Sequence, residues 1–336
     1  MSARRPPARH EPLVSVGIPT YNRAETLSRA VQSVLAQTHR NLELVISDNA
    51  SVDGTAELCR SLMERDARVR CLRASVNRGP TANFNAVFEH MRGEYVMVLS
   101  DDDWLDCNYI ETCLSALRAH PGRAIACGVA RYVRGSEVVK TGRQIQLTDA
   151  SPARRVLFYL RQVDENGIFY GVMPAEVLRC AAPMRNVLGN DWLHVASAVA
   201  RGTAVTLAET SVRRELGGTS ADFRKLTRTL GLPRWQARIP HLVIAWHVFA
   251  DIGWRASAYG DLSWQARLRL APAAALAAIR WRSLSWHVTM PAFAALSRRP
   301  RGQLLWRGFL ALARLAGRSD SQADQVPVGG EPDRSR

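Results

Sequence analysis

The sequence predicts an α/β fold, a mostly parallel sheet with helices on both faces, followed by a C-terminal helical region. Three observations predict it. From residue 13 to about residue 131, short apolar runs alternate with stretches of helical periodicity, the pattern of linked βαβ units. Chain breakers such as Pro19 and Gly93 stand at the joins. Past Gly217-Gly218 the alternation stops, and patterns rich in Trp, Arg and Ala run at helical spacing to about residue 316.

Residues 13–18 form the first apolar run, broken by Pro19-Thr20-Tyr21. Leu27, Ala30, Val31, Val34 and Leu35 then recur on one helical face. Asn22 with Glu25 three residues later has the form of a capping box and places that helix start. Residues 42–46 read as the second strand, and Asp53-Gly54-Thr55 opens the second helix. Residues 69–72 are the third strand, and a helix follows through Phe84, Val87, Phe88 and Met91. Gly93 ends it, and residues 95–99 are the fourth strand. Residues 124–133 read as another strand leading into a turn at Arg134-Gly135-Ser136. Residues 152–163, 174–182 and 191–200 read as helices, and 204–208 as a late strand.

At 336 residues the chain has room for about two domains of ~150 residues each. An apolar fraction of 47% excludes a disordered or collagen-like chain. The readings divide it into a disordered polar arm (1–11), an α/β domain (12–216), a basic helical region (217–316) and a disordered polar tail (317–336). The six cysteines show neither C-x-x-C pairs nor metal-ligand spacing, so they read as scattered reduced thiols. His39, His90, His120 and His194 likewise lack ligand spacing and read as surface or satisfied histidines. Residues 1–11 lack the apolar run of a signal peptide, and no stretch of 18 apolar residues occurs. The expectation is a cytoplasmic protein.

In an open parallel sheet, ligands sit beyond the carboxyl ends of the strands. Four loops stand there: Pro19-Thr20-Tyr21-Asn22-Arg23, Ser47-Asp48-Asn49-Ala50-Ser51-Val52-Asp53-Gly54-Thr55, Asn77-Arg78-Gly79 and Ser100-Asp101-Asp102-Asp103. Polar groups from four separate loops therefore converge on one edge. The first loop holds no glycine, which disfavours a dinucleotide fold and hydride transfer. No G-x-x-x-x-G-K-[ST] exists, and Lys140 and Lys225 are the only lysines. A phosphate-cradling P-loop is excluded, as is a nucleotidyltransferase of the usual lysine-dependent kind.

Three adjacent carboxylates repel one another unless a cation compensates them. A hard divalent ion, Mn²⁺ or Mg²⁺ on one or two carboxylates plus substrate phosphates, does so and acts as a Lewis acid on a departing diphosphate. The plainer reading of the run is a solvated turn capping a helix. Asp48 directly follows its strand, where a carboxylate can accept the N3–H of uracil. Its plainer reading is an Asx-turn, and Asp53 before Gly54-Thr55 reads most simply as a helix cap.

Pro19-Thr20-Tyr21-Asn22, the loop Ser47 through Thr55, Asn77-Arg78-Gly79 and Gly93-Glu94-Tyr95 with Ser100-Asp101-Asp102-Asp103 together resemble a family 2 glycosyltransferase, over about residues 13–214. The wording Ile46-Ser47-Asp48-Asn49-Ala50-Ser51 and Asn77-Arg78-Gly79-Pro80 is most similar to bacterial surface-polysaccharide enzymes such as the abequosyltransferase-like ones. The resemblance implies a GT-A fold and inversion at the anomeric carbon. It implies a nucleotide-sugar donor, UDP- or another NDP-sugar, and a glycan or lipid-linked glycan acceptor. Pro19, Thr20, Tyr21, Asp48 and Arg78 match nucleotide-contacting positions, Asp101 the donor ribose or sugar, and Asp102 the metal, with Asp103 as an alternative ligand. Ser100 stands where the family usually has Asp. The family's general base opens a downstream helix, often as Glu-Asp. Here Gly189-Asn190-Asp191-Trp192 occupies that place, which makes Asp191 the candidate base and Asn190 a departure. Asp191 also reads as a helix cap, and Trp192 as core or as an acceptor-stacking ring.

The net charge is +15, and residues 213–318 carry 18 Lys and Arg against 4 Asp and Glu. Seven of the nine tryptophans lie in the same stretch. Tryptophan interleaved with arginine is the pattern of helices lying on an anionic membrane, and equally of a helical subdomain packed on itself. The membrane reading makes the protein peripheral on the inner face of the cell membrane. No nucleic-acid-binding motif accompanies the charge, so nucleic acid is not an expected partner. The rival from another class is a catalytically weak sugar-binding scaffold held at an anionic membrane by its basic C-terminal third.

Overall fold

The computed structural model describes residues 11–163, 166–215, 222–255 and 259–279. Strand β1 (Val14–Thr20) is buried along its whole length and is flanked by β2 (Leu42–Asp48) and β4 (Tyr95–Val98), both parallel to it. Strand β3 (Val69–Arg73) pairs parallel with β2, and β9 (Met173–Pro174) closes the other edge antiparallel to β4. The order is β3-β2-β1-β4-β9. The chain thus reverses direction across the sheet between β1 and β4, which makes a switch point at their carboxyl ends.

Helices α1 (Ala24–Leu35), α2 (Thr55–Arg65) and α3 (Pro80–His90) connect these strands. Leu27, Ala30, Val31 and Val34 of α1 are the buried stripe that the 3.6-residue spacing foretold. Removing Leu27, Val31 or Val34 from water contributes about 1.5–3 kcal/mol each. Helix α3 lies so close on β1 that a Cβ at Gly17 would collide with Val87. The expected capping box does not form. Asn22 adopts φ 52°, its side chain bonds across to the second loop, and Asp53 accepts the Ala24 N–H instead.

A second sheet has the order β5-β10-β6-β7, where β5 is Trp104–Leu105, β6 Arg123–Arg134, β7 Glu137–Thr141 and β10 Thr203–Glu215. Strand β8 (Gln146–Leu147) also pairs with β10. The late strand is longer than the predicted 204–208, because β10 runs parallel to β6 through a bulge after Leu207. That extension carries Arg213 and Arg214 beside β5, with Arg213 opposite Trp104. An isolated antiparallel bridge pairs Ala126 of β6 with Val172, next to β9.

Helix α4 (Tyr109–Ala119) precedes β6. Helices α5 (Pro152–Gln162), α6 (Ala175–Ala181) and α7 (Asn190–Arg201) stand where predicted. Beyond them come α8 (Phe223–Thr229), α9 (Pro240–Trp254) and α10 (Trp264–Ala278). The described residues up to Ala278 belong to one compact unit. Most of the N-terminal arm, the Gly217-Gly218 joint, the helical readings past 279 and the tail 317–336 lie outside the described residues. Among the described residues, no helix is long and apolar enough to cross a membrane.

Candidate functional site

The polar groups gather at the switch point. Thr20, 1% exposed at the end of β1, donates its hydroxyl to Asp101 Oδ2 at 2.7 Å. The Tyr21 backbone N–H donates to the same carboxylate. Pro19 is buried just before them, opposite Ser47 of β2, and the Tyr21 side chain is exposed. The loops after β1 and β2 are stitched together: Asn22 N–H donates to Ser51 Oγ at 2.8 Å, and Val52 N–H to Asn22 Oδ1 at 2.8 Å. Ala50 is held at φ 63°, a left-handed conformation that costs a non-glycine residue of order 1 kcal/mol.

Asp48 ends β2 and is 1% exposed. Its Oδ1 accepts the Ser51 N–H three residues on at 2.9 Å, and its Oδ2 accepts Arg73 Nη1 at 3.0 Å. Asn49 fixes the third loop, accepting the Arg78 N–H at 3.0 Å and donating to Asn77 Oδ1 at 2.8 Å. The Arg78 side chain is left exposed at that edge.

The three aspartates have three environments. Burial pushes the Asp101 carboxyl up to about 6, against the Thr20 hydrogen bond, and the neighbouring Asp102 adds to the rise. Asp102 is the most open, with a side chain 23% exposed and Arg23 Nη1 at 3.6 Å. Asp103 is turned inward: burial pushes it up to about 6, and Arg214 Nε lies 3.3 Å from its Oδ2. Arg214 also donates to the Tyr132 hydroxyl at 3.1 Å and lies 5.1 Å over the Tyr170 ring. Tyr170 in turn is 2.9 Å from Ser100 Oγ.

Asp191 sits in the first turn of α7. Burial pushes its carboxyl up, while a 2.8 Å hydrogen bond from Asn166 Nδ2 and the charge of Arg214 oppose the rise. Trp192 is 8% exposed and packs near His241, so its ring is core. His194 departs from the expectation of a surface or satisfied histidine. It is buried against Phe88 and Phe169, its Nδ1 has no partner, and burial holds it down at about 4.

Among the described residues, no three acidic, histidine or cysteine side chains form a ready metal cage. The donor set still fits a hard ion of the Mg²⁺ or Mn²⁺ kind. Such ions take one or two carboxylates and complete their sphere with substrate oxygens and water. Asp102 is open to that role, whereas Asp103 is already compensated by Arg214.

Sequence reading missed Arg73, Arg214, Asn166 and Tyr170, and named Arg23 in the first loop without giving it a role. Arg73 ends β3, ahead of the third loop. Arg214 depended on the full length of β10, and no local signal marks Asn166.

A family model described as glycosyl transferase family 2 matches residues 15–185, more than half of the chain. The chain belongs to glycosyl transferase family 2. It is 29% identical over 164 residues to the putative colanic acid biosynthesis glycosyl transferase WcaA of Escherichia coli, covering 48% of this chain and 57% of that one. It is 33% identical over 118 residues to the GalNAc(5)-diNAcBac-PP-undecaprenol beta-1,3-glucosyltransferase of Campylobacter jejuni, covering 35% of this chain and 38% of that one. The matched region thus spans little more than half of these relatives at most. The structure of Staphylococcus aureus TarS 1-349 in complex with UDP superposes with a TM-score of 0.51 at 15% identity, covering 80% of this chain and 81% of that chain. The fold is that of a GT-A glycosyl transferase of family 2, as the resemblance implied.

Proposed function

We propose that this family 2 glycosyltransferase moves a sugar, with inversion, from a nucleotide-sugar to a hydroxyl of a glycan or lipid-linked glycan in bacterial cell-surface polysaccharide synthesis. The observation that carries the reading is the Thr20–Asp101 hydrogen bond, which closes the β1–β4 switch point around a buried carboxylate. UDP is bound by the TarS structure named above, which agrees with a UDP-type donor here.

In this reading Pro19, Thr20, Tyr21, Asp48 and Arg78 hold the nucleotide and Asp101 its ribose or sugar. Asp102 holds Mn²⁺ or Mg²⁺, with Asp103 behind it tied to Arg214. The ion, when bound, neutralises charge on the diphosphate. Asp191 accepts the proton of the acceptor hydroxyl. The new bond forms at the anomeric carbon as its bond to the diphosphate oxygen breaks, and that oxygen leaves with the electron pair. Residues 12–216 carry this chemistry.

Residues 234–316, within the basic helical region 217–316, hold the enzyme on the cytoplasmic face of an anionic membrane. Trp246, Trp254 and Trp264 are 58%, 69% and 62% exposed, and Phe249 bridges the first two with centroids at 5.9 and 5.7 Å. Exposed indoles on α9 and α10, within a region whose net charge is strongly positive, suit a lipid interface.

A thermal-shift panel of nucleotide-sugars with Mn²⁺ tests the donor assignment, because a bound donor raises stability by mass action. A shift with one donor class supports the reading. No shift with any of them counts against it.

A further inference from the structure

We infer that Asn166 is a positioning residue for the Asp191 carboxylate, with Tyr159 behind it holding the other end of the Asn166 amide. The inference rests on Asp191 being the base. Asn166 Nδ2 donates to Asp191 Oδ2 at 2.8 Å, and Asn166 Oδ1 accepts the Tyr159 hydroxyl at 2.7 Å. Tyr159 lies on α5 and is fully buried, and Asn166 is 7% exposed. A carboxamide carries a donor and an acceptor face. Turned around, it would set its carbonyl oxygen against an ionised carboxylate. The donating orientation therefore goes with an ionised Asp191, the form that accepts a proton.

The backbone agrees with a fixed role. Asn166 is left-handed, at φ 45° and ψ 38°, a region that asparagine tolerates better than most residues. Its carbonyl accepts the Phe169 N–H at 3.0 Å, starting the 3₁₀ turn Gly167–Tyr170. A Cβ at Gly167 would stand 2.8 Å from Ala130 Cβ, so the turn is pressed against β6. Five residues therefore carry both ends of one linkage. Asn166 touches the base, and Tyr170 touches Ser100 beside the aspartate run.

The charged groups around Asp191 leave the amide this role. Arg214 of β10 favours the ionised form, as the amide does, and burial opposes both. Arg155 of α5 bonds to Val199 O and Ala200 O at the other end of α7. A neutral amide orients the carboxylate without competing for its proton, whereas an acidic side chain at 166 would share that proton.

The test compares full-length wild type with Asn166→Gly, Tyr159→Phe, Asp191→Asn and the double variant Asn166→Gly/Asp191→Asn. The readout is release of nucleoside diphosphate from UDP-, GDP- and dTDP-sugars with Mn²⁺ across a pH range. Glycine keeps the left-handed backbone and removes only the amide. Asn166→Gly is expected to lower kcat about 10–100-fold, the scale for losing an orienting outer partner, with donor KM little changed. Its acidic limb should move to higher pH, because the amide stops favouring the ionised carboxylate. Tyr159→Phe should move both quantities the same way by less. In the Asp191→Asn background, Asn166→Gly should cost nothing further. Wild-type kcat and acidic limb in both Asn166→Gly and Tyr159→Phe, with Asp191→Asn inactive, would overturn the positioning role alone. Wild-type kcat in Asp191→Asn would overturn the base assignment and this inference with it. Where Asn166→Gly fails to fold, Tyr159→Phe decides.

Discussion

Thr20 and Asp101, 81 residues apart, are joined by a 2.7 Å hydrogen bond at the point where the sheet reverses its winding. The bond pins the first aspartate of the loop after β4 to the end of the central strand. It leaves Asp102, the next carboxylate, on the more open side with Arg23 at 3.6 Å.

That placement makes Asp102 the test of metal dependence. Asp102→Asn should abolish transfer while leaving the melting temperature within a few degrees of wild type, because an amide lacks the charge a hard ion needs. EDTA should stop the wild type, and Mn²⁺ should restore it. Full activity in EDTA would remove the metal from the account.

Asp48 is held by Ser51 and Arg73 with one lone pair on each oxygen already used. The remaining lone pairs lie on a side chain 1% exposed, and the donor reading requires a base N–H to meet them there. Asp48→Ala should weaken both the donor and the free nucleoside diphosphate by about 1.5–3 kcal/mol, the scale of a charge-assisted hydrogen bond. Titration calorimetry with each ligand measures this. An unchanged affinity for the free nucleotide would place Asp48 in a structural role, as the partner of Arg73.

Burial raises Asp101 and Asp103 to about 6 in the free protein. A carboxyl raised on folding favours the folded state most at low pH, below its unfolded value near ~3.9. That contribution is lost as pH climbs through about 6. A divalent ion on Asp102 would offset the charge of the ionised carboxylates on either side of it. The stabilisation by Mn²⁺ should therefore be larger at about pH 7.5 than at about pH 5, read as the difference in melting temperature with and without the ion. Equal increments at the two pH values would contradict it.

The exposed Trp246 and Trp254, bridged by the half-buried Phe249, predict a two-part interaction with lipid. Each arginine near an anionic surface is worth about 1 kcal/mol and is screened by salt, whereas inserted indoles are not. Cosedimentation should require anionic vesicles, weaken with salt and leave a salt-resistant remainder. Indifference to anionic vesicles at low salt would end the membrane reading and leave the transferase reading intact.

The first half of the fold was legible because its signals are local. Apolar runs of strand length stand beside helical stripes such as Leu27, Ala30, Val31 and Val34, with breakers between them. The loops after β1 to β4 were legible for the same reason. The edges of the second sheet were not. Trp104–Leu105 is too short to show a period, and Glu137–Thr141 is exposed at every position, so it shows no alternation. Arg214 reaches Asp103 only through the register of β10 with β5 and β6, a relation between residues about a hundred positions apart. Asn22 misled because its side chain found a partner in the next loop rather than in its own helix.

The most direct test of the central claim is release of nucleoside diphosphate by the full-length protein with Mn²⁺, across a panel of nucleotide-sugars, beside Asp102→Asn. The account predicts release from at least one donor class, since a transferase without its acceptor leaks sugar to water, and none from the variant. A well-folded wild type that binds and cleaves no nucleotide-sugar, or a variant as active as wild type, would contradict it.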